Sequence, residues 1–130
     1  MTPARHLTLR DEPASAAALR AAVDELAPPA FPSDARFALK VAATEALANA
    51  LKRTGEEEQA VEVAVLDTGK GMEVEVLDSG TFRLDFGAGE ERGRGLPLMV
   101  ALADEVEFAS TDAGTRVRIR KHLAGAAEAA

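Results

Sequence analysis

The stretch ATEALANALKR, residues 43–53, carries the helical pattern from which the fold can be predicted. Ser33 or Asp34 can cap the start of this helix, which is predicted to run to about Thr54. Gly55 follows and stops it. The larger apolar side chains recur at helical spacing, and they predict an apolar face made of Phe37, Val41, Thr44, Leu47, Ala48 and Leu51.

Glu45 and Asn49 stand out in this helix because alanine would serve as well at either position. They are four residues apart, so their side chains lie about 40° from each other on one face. The pair fits a solvent-facing stripe, since Lys52 and Arg53 are nearby. It also fits a ligand site, because carboxylate and carboxamide oxygens suit Mg²⁺ and a carboxylate is an ordinary general base. Spacing alone leaves both interpretations open.

The segments on either side of this helix predict a sheet covered by helices. Upstream, HLTLR (6–10) alternates like a short strand, and residues 14–27 have the spacing of an amphipathic helix. Downstream, residues 61–66, 72–78, 106–110 and 115–121 alternate at period two, DTGKG (67–71) predicts a hairpin, and LPLMVALAD (96–104) predicts a third helix. The predicted fold is α+β, a two-layer sandwich whose mainly antiparallel, mixed sheet has about three helices on one face.

Length and composition restrict the class of protein. The 130 residues predict a single domain over residues 1–123 and a disordered tail over residues 124–130. The formal net charge of −7 disfavours direct binding to nucleic acid. The lack of cysteine excludes disulfides and thiolate chemistry, and two histidines near opposite ends are a poor basis for a zinc site. No segment has the pattern of a signal peptide or a membrane span, so a cytoplasmic protein without membrane contact is expected.

Three further motifs have both a structural and a chemical explanation. DSG (78–80) ends a predicted strand and fits a turn, but it also fits a buried carboxylate that faces an exocyclic amine. Four glycines between residues 87 and 95 fit a flexible loop or a lid, and GRG (93–95) leads into a helix, where free N–H groups can bind an anion. GT (114–115) alone is the turn that opens a strand. No Walker A loop is present.

In this order, the motifs resemble the nucleotide site of the GHKL ATPases: E-x-x-x-N on a helix, D-x-G after a strand, G-x-G before a later helix and G-T at the last strand. The segments TEALANALKR, VLDSGTF, GRGLPLMVALADEVEF and GTRVRIRK resemble those of the anti-sigma-factor serine/threonine kinases of that superfamily. The resemblance extends from HLTLR to the last strand, and it implies the GHKL, or Bergerat, ATPase fold.

The resemblance also implies a role for each matching residue. Glu45 would be catalytic, as the general base for a substrate serine, and Asn49 would coordinate the Mg²⁺ that bridges the ATP phosphates. Asp78 would accept a hydrogen bond from the adenine amino group beside Gly80, and Thr115 would complete the base pocket. The phosphates would be held at the helix start by Gly93, Arg94, Gly95 and Leu96.

The partners implied by the resemblance are a sigma factor that the protein sequesters, an anti-sigma-factor antagonist that it phosphorylates, and a second copy in a homodimer. Two positions depart from the family pattern: Arg53 stands where histidine is common, and Phe82 where a second glycine often follows D-x-G. A non-catalytic GHKL-type regulator that acts only by protein contact therefore stays open as the alternative. A histidine kinase domain is a weaker one, because neither His6 nor His122 lies on a dimerisation helix.

Overall fold

The computed structural model describes residues 4–54, 60–78, 99–111 and 114–123. The elements in chain order are β1 (Ala4–Leu9), α1 (Pro13–Leu26), α2 (Ser33–Thr54), β2 (Val61–Asp67), β3 (Gly71–Asp78), β4 (Glu105–Thr111) and β5 (Gly114–His122). Residues 99–102 are also helical, within the predicted third helix. The predicted order of elements is confirmed, whereas the tail at 124–130 lies outside the described residues. No helix in these ranges is long and apolar enough to cross a membrane.

The five strands form one sheet in the order β1-β2-β3-β5-β4. A hairpin joins β2 to β3, and β4 pairs with β5. These two pairs are connected by the pairing of β3 with β5, which are far apart in the sequence. All four pairings are antiparallel, so the described sheet is antiparallel throughout rather than mixed. The two edge strands are β1 and β4.

Alternation along the strands gives the sheet a covered face and an open face. The covered face contributes buried, mostly β-branched side chains: Val61, Val63, Val65, Val74, Val76, Val117 and Ile119. The helix α1 packs on β1 and β2, and α2 packs mainly on β3 and β5. The predicted two-layer sandwich with its helices on one face is therefore confirmed.

The side of α2 that faces the sheet differs from the predicted one. It consists of six alanines and two leucines: Ala35, Ala38, Leu39, Ala42, Ala43, Ala46, Leu47 and Ala50. Within the predicted apolar face, only Leu47 is classed as buried, and Phe37 is 66% exposed. The prediction gave most weight to large side chains. Small side chains instead let a helix pack close to its neighbour, because the distance between packed elements depends on the side chains at the contact.

The open face of the sheet carries a network of charged side chains. Arg118 lies opposite Glu75 and Glu107, and its guanidinium reaches their carboxylates at 3.0 Å and 3.4 Å. Arg120 lies opposite Glu73 and donates from Nε to its Oε1 at 2.6 Å. This hydrogen bond raises the pKa of the Arg120 guanidinium above its ordinary value, against the opposing effect of desolvation. Pairs of this kind contribute at most about 1 kcal/mol each, so the network mainly keeps this face polar.

Ion pairs connect α1 to the elements on both of its sides. On one side, Arg5 of β1 pairs with Glu25. On the other, the Asp24 carboxylate lies 3.0 Å from Lys40 Nζ and 3.8 Å from an Arg36 guanidinium nitrogen. The side of α2 that carries Arg36 and Lys40 therefore faces α1.

The turn between β2 and β3 is a tight hairpin, as predicted. The Thr68 N–H donates to the Gly71 carbonyl oxygen at 3.0 Å, and the Gly69 N–H donates to the Asp67 carboxylate at 3.0 Å. Gly69 has φ +83°, and a Cβ at this position would meet nothing within 4 Å. A Cβ on Gly71 would instead lie 2.1 Å from the Lys121 carbonyl oxygen. Glycine at position 71 therefore permits the close approach of β3 to β5.

Gly71→Ala is expected to destabilise the protein more than Gly69→Ala. Alanine at position 69 has free space but must adopt a left-handed backbone conformation, which costs about 1–2 kcal/mol. The methyl group at position 71 would overlap a backbone oxygen, so the pairing of β3 with β5 must open locally, and a loss above about 3 kcal/mol is expected. Urea unfolding of the two variants measures both losses. Equal losses would contradict the role assigned to Gly71.

Candidate functional site

Asp78 and Thr115 lie side by side at the end of the two central strands. The register of β3 and β5 places them directly opposite each other, where Cβ atoms are about 4.5–5.5 Å apart. Both are buried, with 6% and 1% of their surface exposed. They face the helices, because side chains alternate along a strand and their exposed neighbours Leu77 and Arg116 point to the open face. Each takes part in an interaction within the folded chain, and an ionised carboxylate still has further acceptor sites for a ligand.

Glu45 and Asn49 lie on α2, the helix that packs on these two strands. Both are half-buried. Unlike the strand-end pair, neither side chain makes a hydrogen bond or an ion pair within the described ranges of the chain. Their carboxylate and carboxamide groups are therefore available to a ligand. The helix surface beside them is covered, because Ala38 and Ala42 are both buried.

Four of the predicted site residues thus lie on the helix-covered side of the sheet. Glu45 and Asn49 come from α2, and the other two come from the ends of the strands on which α2 packs. The remaining predicted residues lie outside the described residues: Gly80, Gly93, Arg94, Gly95 and Leu96. Phe82 and the side chain of Arg53 lie outside them as well.

The available groups fit a nucleotide with its metal ion better than a metal site made by the protein alone. Among the residues with described positions, no group of three or more His, Cys, Asp or Glu could hold a metal ion. Mg²⁺ usually binds one or two protein oxygens and takes its other ligands from phosphates and water. Asn49 offers one carboxamide oxygen for such an arrangement. A buried carboxylate can accept a hydrogen bond from an exocyclic amine.

The comparison with protein families matches residues 9–121 to the histidine kinase-like ATPase domain. The match covers most of the chain, and the chain therefore belongs to this family. Membership implies ATP binding, and the antiparallel sheet with helices on one face agrees with it. No curated protein sequence matches the chain significantly.

Among solved structures, the chain is similar to the crystal structure of the RsbU and RsbW domains of Rv1364c from Mycobacterium tuberculosis. The TM-score is 0.69, and the aligned region covers 94% of this chain at 22% sequence identity. The chain spans only 33% of the length of that structure. At this level of identity the similarity shows a shared fold.

The sequence predicted these four residues as site residues, but it did not predict how the fold arranges them. The contact between Asp78 and Thr115 depends on the pairing of β3 with β5, which are not consecutive strands. One signal was present in the sequence, because the outward positions of β3 are acidic and those of β5 are basic. Opposite charges on facing strands favour their pairing.

Without nucleotide, Asn49→Ala and Asp78→Ala are expected to change stability in opposite directions. Asn49 has no partner within the described ranges and lies inside a helix, so alanine should stabilise the fold by up to about 0.7 kcal/mol. Asp78 is buried and partnered, so its removal should destabilise the fold by about 1–3 kcal/mol. Thermal unfolding of the nucleotide-free variants measures both effects. A loss of stability in Asn49→Ala as large as that in Asp78→Ala would show that Asn49 has a structural role.

Proposed function

We propose that this protein is an ATP-binding anti-sigma factor and serine/threonine protein kinase, which sequesters a sigma factor and phosphorylates an anti-sigma-factor antagonist. The observation that supports the proposal is the combination of two kinds of side chain around the candidate site. Asp78 and Thr115 are buried and paired across the central strands, while Glu45 and Asn49 have no partner within the described ranges. A site for a nucleotide needs fixed groups for the base and available groups for the phosphates and the reacting hydroxyl.

In this proposal each residue has a separate task. Asp78 accepts a hydrogen bond from the adenine amino group, with Gly80 beside it, and Thr115 completes the base pocket. Asn49 holds Mg²⁺, which when bound neutralises charge on the phosphates. Glu45 accepts the proton of the substrate serine hydroxyl as its oxygen bonds to the γ-phosphorus and the bond to ADP breaks. The helix start that would hold the phosphates consists of Gly93, Arg94, Gly95 and Leu96.

The partners rest on family resemblance and on the similarity of the fold to a structure that contains an RsbW domain. The proposed sigma factor and antagonist are proteins, so the chain needs surfaces for protein contact besides the nucleotide site. The proposed homodimer is supported by the position of β1 at an edge of the described sheet, where a strand can pair with another chain.

Binding of ATP is expected to depend on Mg²⁺ and on Asn49. ATP with Mg²⁺ should raise the melting temperature of the wild type, because a ligand that binds only the folded state stabilises it. Asn49→Ala should lose most of this rise, since the proposed protein ligand to the metal is absent. Differential scanning fluorimetry with ATP, with and without Mg²⁺, measures the effect. If ATP does not stabilise the wild type, the proposed nucleotide site is wrong.

Glu45→Gln is expected to separate nucleotide binding from catalysis. Glutamine keeps the size of the side chain and loses the proton acceptor, so ATP affinity should stay within a few-fold while phosphorylation falls at least about a hundredfold. Incubation with radiolabelled ATP and candidate antagonist proteins measures the transfer. The matched control is Glu62→Gln, which changes an exposed carboxylate on the open face of the sheet and should phosphorylate normally.

Normal phosphorylation by Glu45→Gln would show that Glu45 is not the base. A wild type that binds ATP and transfers phosphate to no antagonist would favour the alternative, a non-catalytic regulator of the GHKL type.

A further inference from the structure

The outward side of α2 carries three apolar side chains and one threonine, which lie outside the hydrophobic core of the described residues; the Thr44 hydroxyl donates to the Lys40 carbonyl oxygen at 2.7 Å. Phe37 is 66% exposed, which makes it the most exposed of the large apolar side chains in the described ranges. Val41, Thr44 and Ala48 follow it at intervals of four, three and four residues and are half-buried. At about 100° per residue the four side chains lie within a sector of about 60°. We call this set the outer stripe.

The outer stripe is separate from the hydrophobic core. The core cluster takes its α2 members from the alanine side of the helix, and neither Val41 nor Ala48 is among the half-buried residues that pack against it. Single exposed apolar residues are ordinary, but here the exposed Phe37 is followed by half-buried Val41 and Ala48 on the same face, over about half the length of the helix. The spacing of four and three residues is that of a coiled-coil seam, which fits the side chains of another α-helix.

The charges beside the outer stripe are mainly basic on the side that faces α1. Arg36 and Lys40 lie there on α2, and both share the single carboxylate of Asp24. Arg20 lies one turn before Asp24 on α1 and is exposed. This border carries three cations and one anion in a chain whose formal net charge is −7. The opposite border carries Asp34 and Glu45 beside Lys52, so only the border that faces α1 complements acidic residues of a partner.

We propose that the outer stripe docks an amphipathic α-helix of a partner protein, with apolar side chains along its seam and acidic residues on the edge that meets Arg20 and Lys40. This inference rests on the proposed function, because it assigns a docking mode to that function's protein partner. A helix on the outer stripe would lie next to Glu45, which is four residues after Val41 and therefore about 40° from it around the helix. The docked partner would thus be held beside the proposed catalytic base.

The size of the outer stripe indicates a transient partner rather than a second copy. Four side chains over about 17 Å of helix offer much less surface than the roughly 800 Å² per partner of a stable interface. An antiparallel pairing of two copies would also place the basic border of one against that of the other. Both points favour a different protein with the opposite charge.

The test uses two synthetic amphipathic peptides of about 18 residues, long enough to form a helix. Both have leucine along the seam, and they differ only in carrying glutamate or lysine along the one edge that is meant to meet Arg20 and Lys40. Binding of each labelled peptide to the full chain is followed by fluorescence anisotropy. The glutamate peptide is expected to bind at least about tenfold more tightly than the lysine peptide. Phe37→Ser should weaken its binding by at least about tenfold, because Phe37 is the largest and most exposed apolar side chain of the outer stripe.

The matched control is Leu77→Ser, because Leu77 is 42% exposed on the opposite, open face of the sheet. It should bind the glutamate peptide like the wild type. The inference is overturned if the glutamate peptide does not bind, if both peptides bind equally, or if the two variants weaken binding equally. It is also overturned if Phe37→Ser turns a dimer into a monomer in sedimentation, because the occupant would then be a second copy.

Stabilisation by ATP is measured on the same samples, and Phe37→Ser should keep the wild-type response. If ATP does not stabilise the wild type but the peptide still binds through Phe37, the proposed function fails and the docking surface stands. If ATP stabilises both the wild type and Phe37→Ser but the peptide does not bind, the docking surface fails and the proposed function stands.

Discussion

Antiparallel pairing of β3 with β5 is the constraint on which the rest of this structure depends. Because side chains alternate along each strand, the register decides which residues of the two strands reach the helices and which reach the open face. It buries Asp78 beside Thr115 under the helix layer, and it leaves their neighbours on the other side of the sheet. A shift of one residue would exchange the two sets. The close approach of Gly71 to β5 and the arginine–glutamate pairs of the open face agree with the same register.

The helix α2 connects this sheet to the site. Its alanine side packs on the central strands, so the helix lies close to them without large side chains between. Glu45 and Asn49 project from the border of that packed side, where they are half-buried and free of partners within the described ranges. A partly buried group of this kind is shielded enough to interact strongly with a ligand and exposed enough to reach it. The same helix presents Phe37 on its outward side, so one element serves the core, the site and a surface.

The ion pairs balance the charges on the open face of the sheet but leave an excess of positive charge between α1 and α2. On the open face, two arginines are held between acidic neighbours, so their charges are largely matched within the chain. Beside α2, one aspartate is shared between Arg36 and Lys40, which leaves a local excess of positive charge. Surface pairs of either kind contribute little to stability. Their effect on which partner can approach is larger, because complementary charges steer association and exclude like-charged partners.

The sequence by itself determined the order and type of the elements, because period-two and helical spacing, glycine turns and prolines are local properties of the chain. Predicted strands and helices agree with the observed ones to within a few residues, and the choice of Glu45, Asn49, Asp78 and Thr115 came from motifs that are also local. Only the tertiary structure decided which strands are neighbours and which side of α2 faces the sheet. The pairing of β3 with β5 joins segments far apart in the chain, and spacing within each segment does not specify it. The buried side of α2 was predicted wrongly because the positions of the large apolar residues indicate one face of the helix, whereas the alanines form another. The alanine side packs on the sheet because small side chains let the helix approach it closely.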